Sequence, residues 1–296
     1  MATTSYSNLK NSSAAWNSAL RNFGIVTVMN AKVYDVYNGM LVSEYANLMD
    51  ATKFADTAAK AIFLAKINAD YATTTSGSEA ISTTAVIDFS ELKANEIIAL
   101  YLATTPIATL KYLKTANATQ EGPTKTVTGG QNASPLIKYG KTARLEMQDA
   151  LGNAEALQAL AGLTVEYFRT ATATSADLEK GATDVLHATT TFAGHKTVLG
   201  DTFIIDAKSG NQVPAYIIFY DFLSDSLLSL TQDAEGDATV FDMNGDLNEV
   251  QIYIGDQTID TEGVVKGAFY TIMPNLDYLD STKGPQIIVN NGISND

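Results

Sequence analysis

The 296-residue chain contains no cysteine, which removes disulfides, thiolate metal sites and cysteine nucleophiles together. Stability has to come from packing, hydrogen bonds and neighbouring chains. Only two histidines occur, His187 and His195, with no carboxylate or serine partner at motif spacing. They read as loop residues. Neither HExxH nor GxSxG is present, so zinc-peptidase and serine-hydrolase chemistry have no carrier. No apolar run approaches the roughly 18 residues that cross a bilayer. The opening MATTSYSNLKNSS lacks the basic and apolar regions of a secretory signal. The expectation is a protein made in cytoplasm, without membrane partners.

Cations are scarce in the second half. Residues 1–144 carry 13 Lys and Arg against 10 Asp and Glu, whereas residues 145–296 carry 6 against 23, a net of −17. Nucleic-acid binding rests on Lys and Arg neutralising phosphates, so such a surface excludes a conventional DNA binder. Acidic side chains also keep an assembly subunit soluble before it polymerises. With 46% hydrophobic and 18% charged residues, the chain has the composition of a globular protein with one generous core or two modest ones.

The N-terminal part reads as mixed structure. Ala15, Trp16, Ala19, Leu20 and Phe23 share one face of a helix over about Ser12 to Phe23, with Gly24 placed to end it. Trp16 is expected to be a packing anchor. Ile25 to Tyr37, the turn Asn38-Gly39 and Met40 to Tyr45 predict a β-hairpin. Asp50 is a good N-cap for a helix to about Asn68, with Phe54, Ala58, Ala61, Ile62 and Ala65 on its apolar face. That face is mainly alanine and suits docking on the subunit's own core better than a membrane. Thr73 to Glu79 is loop and Ala85 to Phe89 a strand. Ser90 then caps a helix reaching Ala103 before Pro106, or Ile97 to Leu102 is a strand; the pattern fits both. Thr115 to Ser134, rich in Thr, Gly and Asn, has loop chemistry and is the best boundary in the chain.

Beyond that boundary the chain turns to strands. Lys138 to Met147 is one, and Asn153 caps a short helix, Ala154 to Ala161, that Gly162 ends. Val198 to Ile205 and Val213 to Phe222 form a hairpin whose turn, Asp206 to Gln212, holds Gly210 and Asn211 for positive φ. Ser226 to Glu235 alternates cleanly, and Asp237 to Met243, Val250 to Ile254, Val264 to Ile272 and Gln286 to Val289 add further strands. Two chemical motifs are decoys. Gly140-Lys141-Thr142 resembles the end of a P-loop, but Pro135 stands where its first glycine belongs. Asp242-Met-Asn244-Gly245-Asp246 resembles a calcium loop with glycine misplaced and Tyr253 at the closing position, and reads as an acidic turn. No catalytic, cofactor or metal residues emerge.

The order of TVTGGQNASPLIKYGKTARLEMQDALGNAEALQALAGL, GDTFIIDAKSGNQVPAYIIFY and LLSLTQDAEGDATVFDMNGDL resembles bacteriophage tail tube proteins, also called major tail proteins. The resemblance covers about Ile107 to Leu247 and extends toward Val289 and the Ile25 to Tyr45 hairpin. It implies a mainly β, α+β fold, a tail-tube β-sandwich or half-barrel with a packed short helix. Residues 46–106 depart from the pattern as a partly helical insertion. The domains expected are a helical arm at 1–24 and a tube domain at 25–296.

What the resemblance implies functionally is a virion protein, assembled in host cytoplasm, that self-associates into stacked hexameric rings. Its implied partners are further copies of itself, tape measure, tail terminator and baseplate proteins and, in a contractile tail, a sheath protein. Viral DNA passes through the lumen without specific binding. Asp233, Glu235, Asp237, Asp242 and Asp246 are the candidate lumen-facing acids, an exposed turn or ring interface being the alternative. Asp206, Lys208, Gly210 and Asn211 form a candidate inter-ring hairpin tip, or an ordinary solvent-exposed turn. A capsid shell protein and a β-sandwich binding module or enzyme are the rival readings.

Overall fold

The computed structural model describes residues 23–25, 28–54, 57–67, 85–111, 113–122, 124–126, 136–138, 140–149, 154–168, 183–206, 212–225, 229–230, 241–254, 264–274, 279–280 and 284–285. In chain order the elements are β1 (Phe23–Ile25), β2 (Met29–Asp35), α1 (Val42–Leu48), α2 (Thr57–Ile67), α3 (Ala94–Leu102), β3 (Ala108–Leu110), β4 (Leu113–Glu121), β5 (Thr124–Thr126), β6 (Leu136–Lys138), β7 (Thr142–Asp149), α4 (Ala154–Ala161), β8 (Thr164–Phe168) and β9 (Thr183–His187). Then follow β10 (Lys196–Asp206), β11 (Gln212–Ser224), β12 (Ser229–Leu230), β13 (Phe241–Leu247), β14 (Val250–Ile254), β15 (Val264–Ala268) and β16 (Tyr270–Pro274). The result is an α+β fold around one large antiparallel sheet, as expected.

The long hairpin β10–β11 is the spine of that sheet. It forms because Val198 to Ile205 and Val213 to Phe222 are nearly unbroken runs of β-branched, aromatic and aliphatic residues. Each strand is long enough to share its outer edge between partners. β10 pairs with β1 and β2, and β11 with β16 and β13. Beyond β13 lie β7 and then the edge strand β4, while β3 closes the side of β2.

Both faces of the spine are covered, which explains why its apolar run is continuous. On one face Leu199, Tyr216, Ile218 and Tyr220 pack against the helices. On the other, Val198, Ile217, Phe219 and Phe222 pack with α4, β3, β7 and β13. Gly162 ends α4 at φ 69, the left-handed geometry of a helix stop.

The helical segment is stapled to the sheet by hydroxyls. Thr197 donates to the Tyr220 carbonyl at 2.7 Å, so its single proton is used, and the Tyr101 hydroxyl must donate to Thr197 at 2.8 Å. Tyr101 in turn accepts the Tyr37 backbone N–H at 3.3 Å. By the same count, Thr104 donates to the Tyr101 carbonyl at 3.1 Å and therefore receives the Tyr37 hydroxyl at 2.9 Å. The Tyr37 and Tyr101 rings stack at 4.6 Å. Burial pushes the Tyr37 phenol up to about 12, and those of Tyr34, Tyr45, Tyr101 and Tyr220 well above their ordinary value.

Several local expectations are corrected. Phe23 and Gly24 are strand residues paired with Asp206 and Ile205, not a helix end. The Asn38-Gly39 turn forms, but Met40 to Tyr45 does not return along β2, whose two edges are taken by β3 and β10. The chain instead pairs around Leu41 with residues 85–87 and enters α1, burying Val42, Tyr45 and Ala46 at helical spacing. Ala85 to Phe89 is therefore a single bridge at Val86 followed by a short 3₁₀ turn, not a strand.

Asp50 caps a 3₁₀ turn through Thr52, and the helix proper starts at Thr57. Its inward face carries Ala61, Phe63 and Leu64; Ile62 is 56% exposed and Ala58 is also outside. The two phenylalanines, Phe54 and Phe63, meet edge-on at 5.6 Å and set that rotation. Of the two readings around Ile97 to Leu102, the helix is right. It starts at Ala94, where Glu96 accepts the Lys93 N–H at 2.8 Å, rather than from a Ser90 cap. Within the expected loop Thr115 to Ser134, residues 124–126 form β5, and residues 115–121 are not loop either. The latter lie in β4, an edge strand in which Ala116 packs on the core and residues 117–121 are exposed. Val264 to Ile272 breaks at Phe269 into β15 and β16. The Ser12 to Arg21 part of the arm helix, Trp16, the Thr73 to Glu79 loop, Asn153, most of Ser226 to Glu235 and Gln286 to Val289 lie outside the described residues.

Candidate functional site

The acidic turn expected at Asp242 to Asp246 is a strand. It lies in β13, where Met243, Gly245 and Leu247 face the core and Asp242, Asn244 and Asp246 face the other way. Gly245 makes this possible, since a Cβ there would run into the Leu223 carbonyl and come within 2.7 Å of the Ser224 Cα. The glycine misplaced for a calcium loop is correctly placed for a strand pressed against β11.

The register extends this outward side across three strands. Asp242 stands opposite Gln148; Asn244 opposite Glu146 and then Asn117; Asp246 opposite Arg144 and then Thr119. Directly opposed residues of antiparallel strands share a face. The alternate positions of β7, Ala143, Leu145 and Met147, are buried beneath it. These eight positions form a polar sheet face with three carboxylates and one cation, Arg144.

That cation is ion-paired through both terminal nitrogens. Arg144 Nη2 bonds Asp225 Oδ2, Nη1 reaches Asp246 Oδ1 at 3.2 Å, and Nε lies 4.0 Å from Glu146 Oε1. Asp225 follows β11 and is anchored by its own N–H, which donates to the Asn244 carbonyl at 2.8 Å. The Asp225 hydrogen bond, more than any other contact, holds the guanidinium above its ordinary value. Exposed ion pairs stabilise a fold little, so the electrical consequence matters more than the energetic one. Asp242 has one buried oxygen, Oδ1, without a partner among the described residues.

Of the expected lumen acids, the structure therefore brings Asp242 and Asp246 onto one face. Asp233, Glu235 and Asp237 lie outside the described residues. Asp206 ends β10, while Lys208, Gly210 and Asn211 of the hairpin tip lie outside. Sequence reasoning missed Arg144, Glu146 and Asp225. The alternation of TARLEMQD carried the signal for the first two; Asp225 needed the fold.

Both histidines prove to have carboxylate partners that spacing did not show. His187, in β9 rather than a loop, meets Glu166 at 2.7 Å. His195 Nδ1 meets Asp221 at 2.7 Å, with Asn248 beside both. No nucleophile accompanies either pair in the contacts described. Gly140-Lys141-Thr142 leads into strand β7, not the helix a P-loop requires. A cleft of about 460 Å³ lies between the end of α4 and residues 191–194, beside the Lys196–Asp35 pair at 2.7 Å. Phe192 at its lip is 80% exposed.

No protein-family model matches the chain, and no curated protein matches it. Among solved structures it is similar to a chain of the anti-feeding prophage baseplate, determined by cryo-electron microscopy with six-fold symmetrisation. The identity is 8%, the TM-score 0.24, and the match covers 55% of this chain and 80% of the other. An overlap this low transfers neither fold nor function.

Proposed function

We propose that this chain is a structural virion protein, a tail tube subunit that assembles into stacked six-membered rings around a channel for viral DNA. The observation that carries the reading is the polar face of β13, β7 and β4. It backs onto a packed core, holds Asp242, Glu146 and Asp246, and offers no unpaired cation at its eight positions. A wall of that kind repels phosphate and gives a moving duplex nothing to hold. The sequence resemblance over Ile107 to Leu247 supports the same reading. We place tape measure, terminator, baseplate and, where present, sheath proteins as its partners, and no catalytic role for the chain.

A capsid shell subunit would be built on a long spine helix. The longest helix among the described residues is α2, with 11 residues. The test is negative-stain electron microscopy of the concentrated, purified protein. Stacked rings or tubes with a central channel are expected; closed shells, or only monomers across assembly conditions, would overturn the reading.

A further inference from the structure

Arg144 is an apparent defect in a phosphate-repelling wall. It stands in the middle strand of the polar face, 40% exposed, between Asp246 and Thr119. A free guanidinium there would be a bidentate phosphate ligand, repeated in every subunit of an assembly. The two acids that engage it come from different strands. Asp246 lies directly opposite on β13, and Asp225 reaches in from the end of β11. Each acid takes an N–H from one terminal nitrogen, so two carboxylate charges lie against the guanidinium that would otherwise attract a phosphate.

We infer that Asp225 and Asp246 mask Arg144 from phosphate, making Arg144 a latent DNA-binding residue that this clasp keeps silent. The inference rests on the reading that this face meets DNA, and it assigns a role to Asp225. A purely structural clasp would tie β7, β11 and β13 together and have no bearing on DNA.

The experiment measures retention of a fluorescent duplex by the full-length protein at low salt, and compares D225N/D246N with wild type. Two controls accompany it: the triple variant D225N/D246N/R144Q, and E44Q/E91Q, which makes the same charge change on the exposed helical side. Wild type and E44Q/E91Q should retain little. D225N/D246N should bind, with retention falling about threefold per engaged cation between about 50 and 200 mM salt. The triple variant should return to the wild-type level.

Equal retention by D225N/D246N and wild type, or by D225N/D246N and E44Q/E91Q, overturns the masking role. Circular dichroism verifies folding. If the double variant does not fold, D246N alone serves, because Asp246 is 68% exposed; a smaller gain is then expected, and none overturns the inference. Failure of the tube reading appears separately in electron micrographs. Tubes with a silent variant sink the masking, whereas a binding variant without tubes sinks the assembly reading.

Discussion

Replacing Tyr101 with phenylalanine removes one oxygen from the centre of the staple that joins the helical segment to the sheet. Its hydroxyl donates to Thr197 and accepts from the Tyr37 backbone N–H, and the side chain is fully buried. The ring and its stacking on Tyr37 are retained, so no cavity larger than the oxygen is made. The loss of the Tyr101–Thr197 bond costs about 1 kcal/mol net, and the stranded Tyr37 N–H about 1–3 kcal/mol more.

A total of about 3 kcal/mol corresponds to a Tm lower by about 5 °C for a chain of this size. Tyr37→Phe is the internal comparison. It removes only the bond to Thr104, which keeps its own bond to the Tyr101 carbonyl, and should cost about 1 kcal/mol. Urea unfolding with equal slopes for the three proteins measures the difference. A Tyr101→Phe protein within about 0.5 kcal/mol of wild type would refute the reading that the Tyr101 oxygen satisfies the buried Tyr37 N–H, since an unmet buried donor cannot be that cheap.

The same tyrosines set an alkaline limit. Their folded-state pKa values lie above the unfolded value of 10.0, so their contribution is complete below pH 10.0 and is lost as pH rises from there through the folded values, of which that of Tyr37 is about 12. Stability should fall by about 1.4 kcal/mol per pH unit for each phenol protonated only in the folded state; tyrosinate absorbance should appear together with loss of circular dichroism, and its earlier appearance in the folded protein would contradict the burial. Gly245→Ala should destabilise by about 1–3 kcal/mol, because the added methyl meets backbone rather than a flexible side chain; a calorimetric Tm equal to wild type would show that β11 and β13 are not pressed together at this point.

How much was legible depended on whether local pattern and tertiary environment agreed. The hairpin of Val198 to Ile205 and Val213 to Phe222, the helix from Ala154 and its stop at Gly162 were all readable, because each is written in a period or a breaker. The helix over Ile97 to Leu102 stayed ambiguous for a physical reason. It is buried all round, so its run has no polar stripe to betray a period. Most of β4 was missed for the opposite reason: residues 117–121 of this edge strand are exposed and carry no apolar alternation, so the stretch from Thr115 looks like loop. Met40 to Tyr45 has strand-like residues, yet the edges of β2 were already filled.

The sequence by itself determined the absence of thiol chemistry, the −17 charge of residues 145–296, the strand-rich second half and the spine hairpin. Composition and short-range period depend only on neighbours along the chain. The tertiary structure decided what those charges mean. Asp225 and Asp246 are 81 and 102 residues from Arg144, and nothing local to any of the three foretells their meeting. Only the register of β7 against β13, and a glycine that lets β11 approach, turns an acidic stretch with a stray arginine into a polar face whose one cation is already bound.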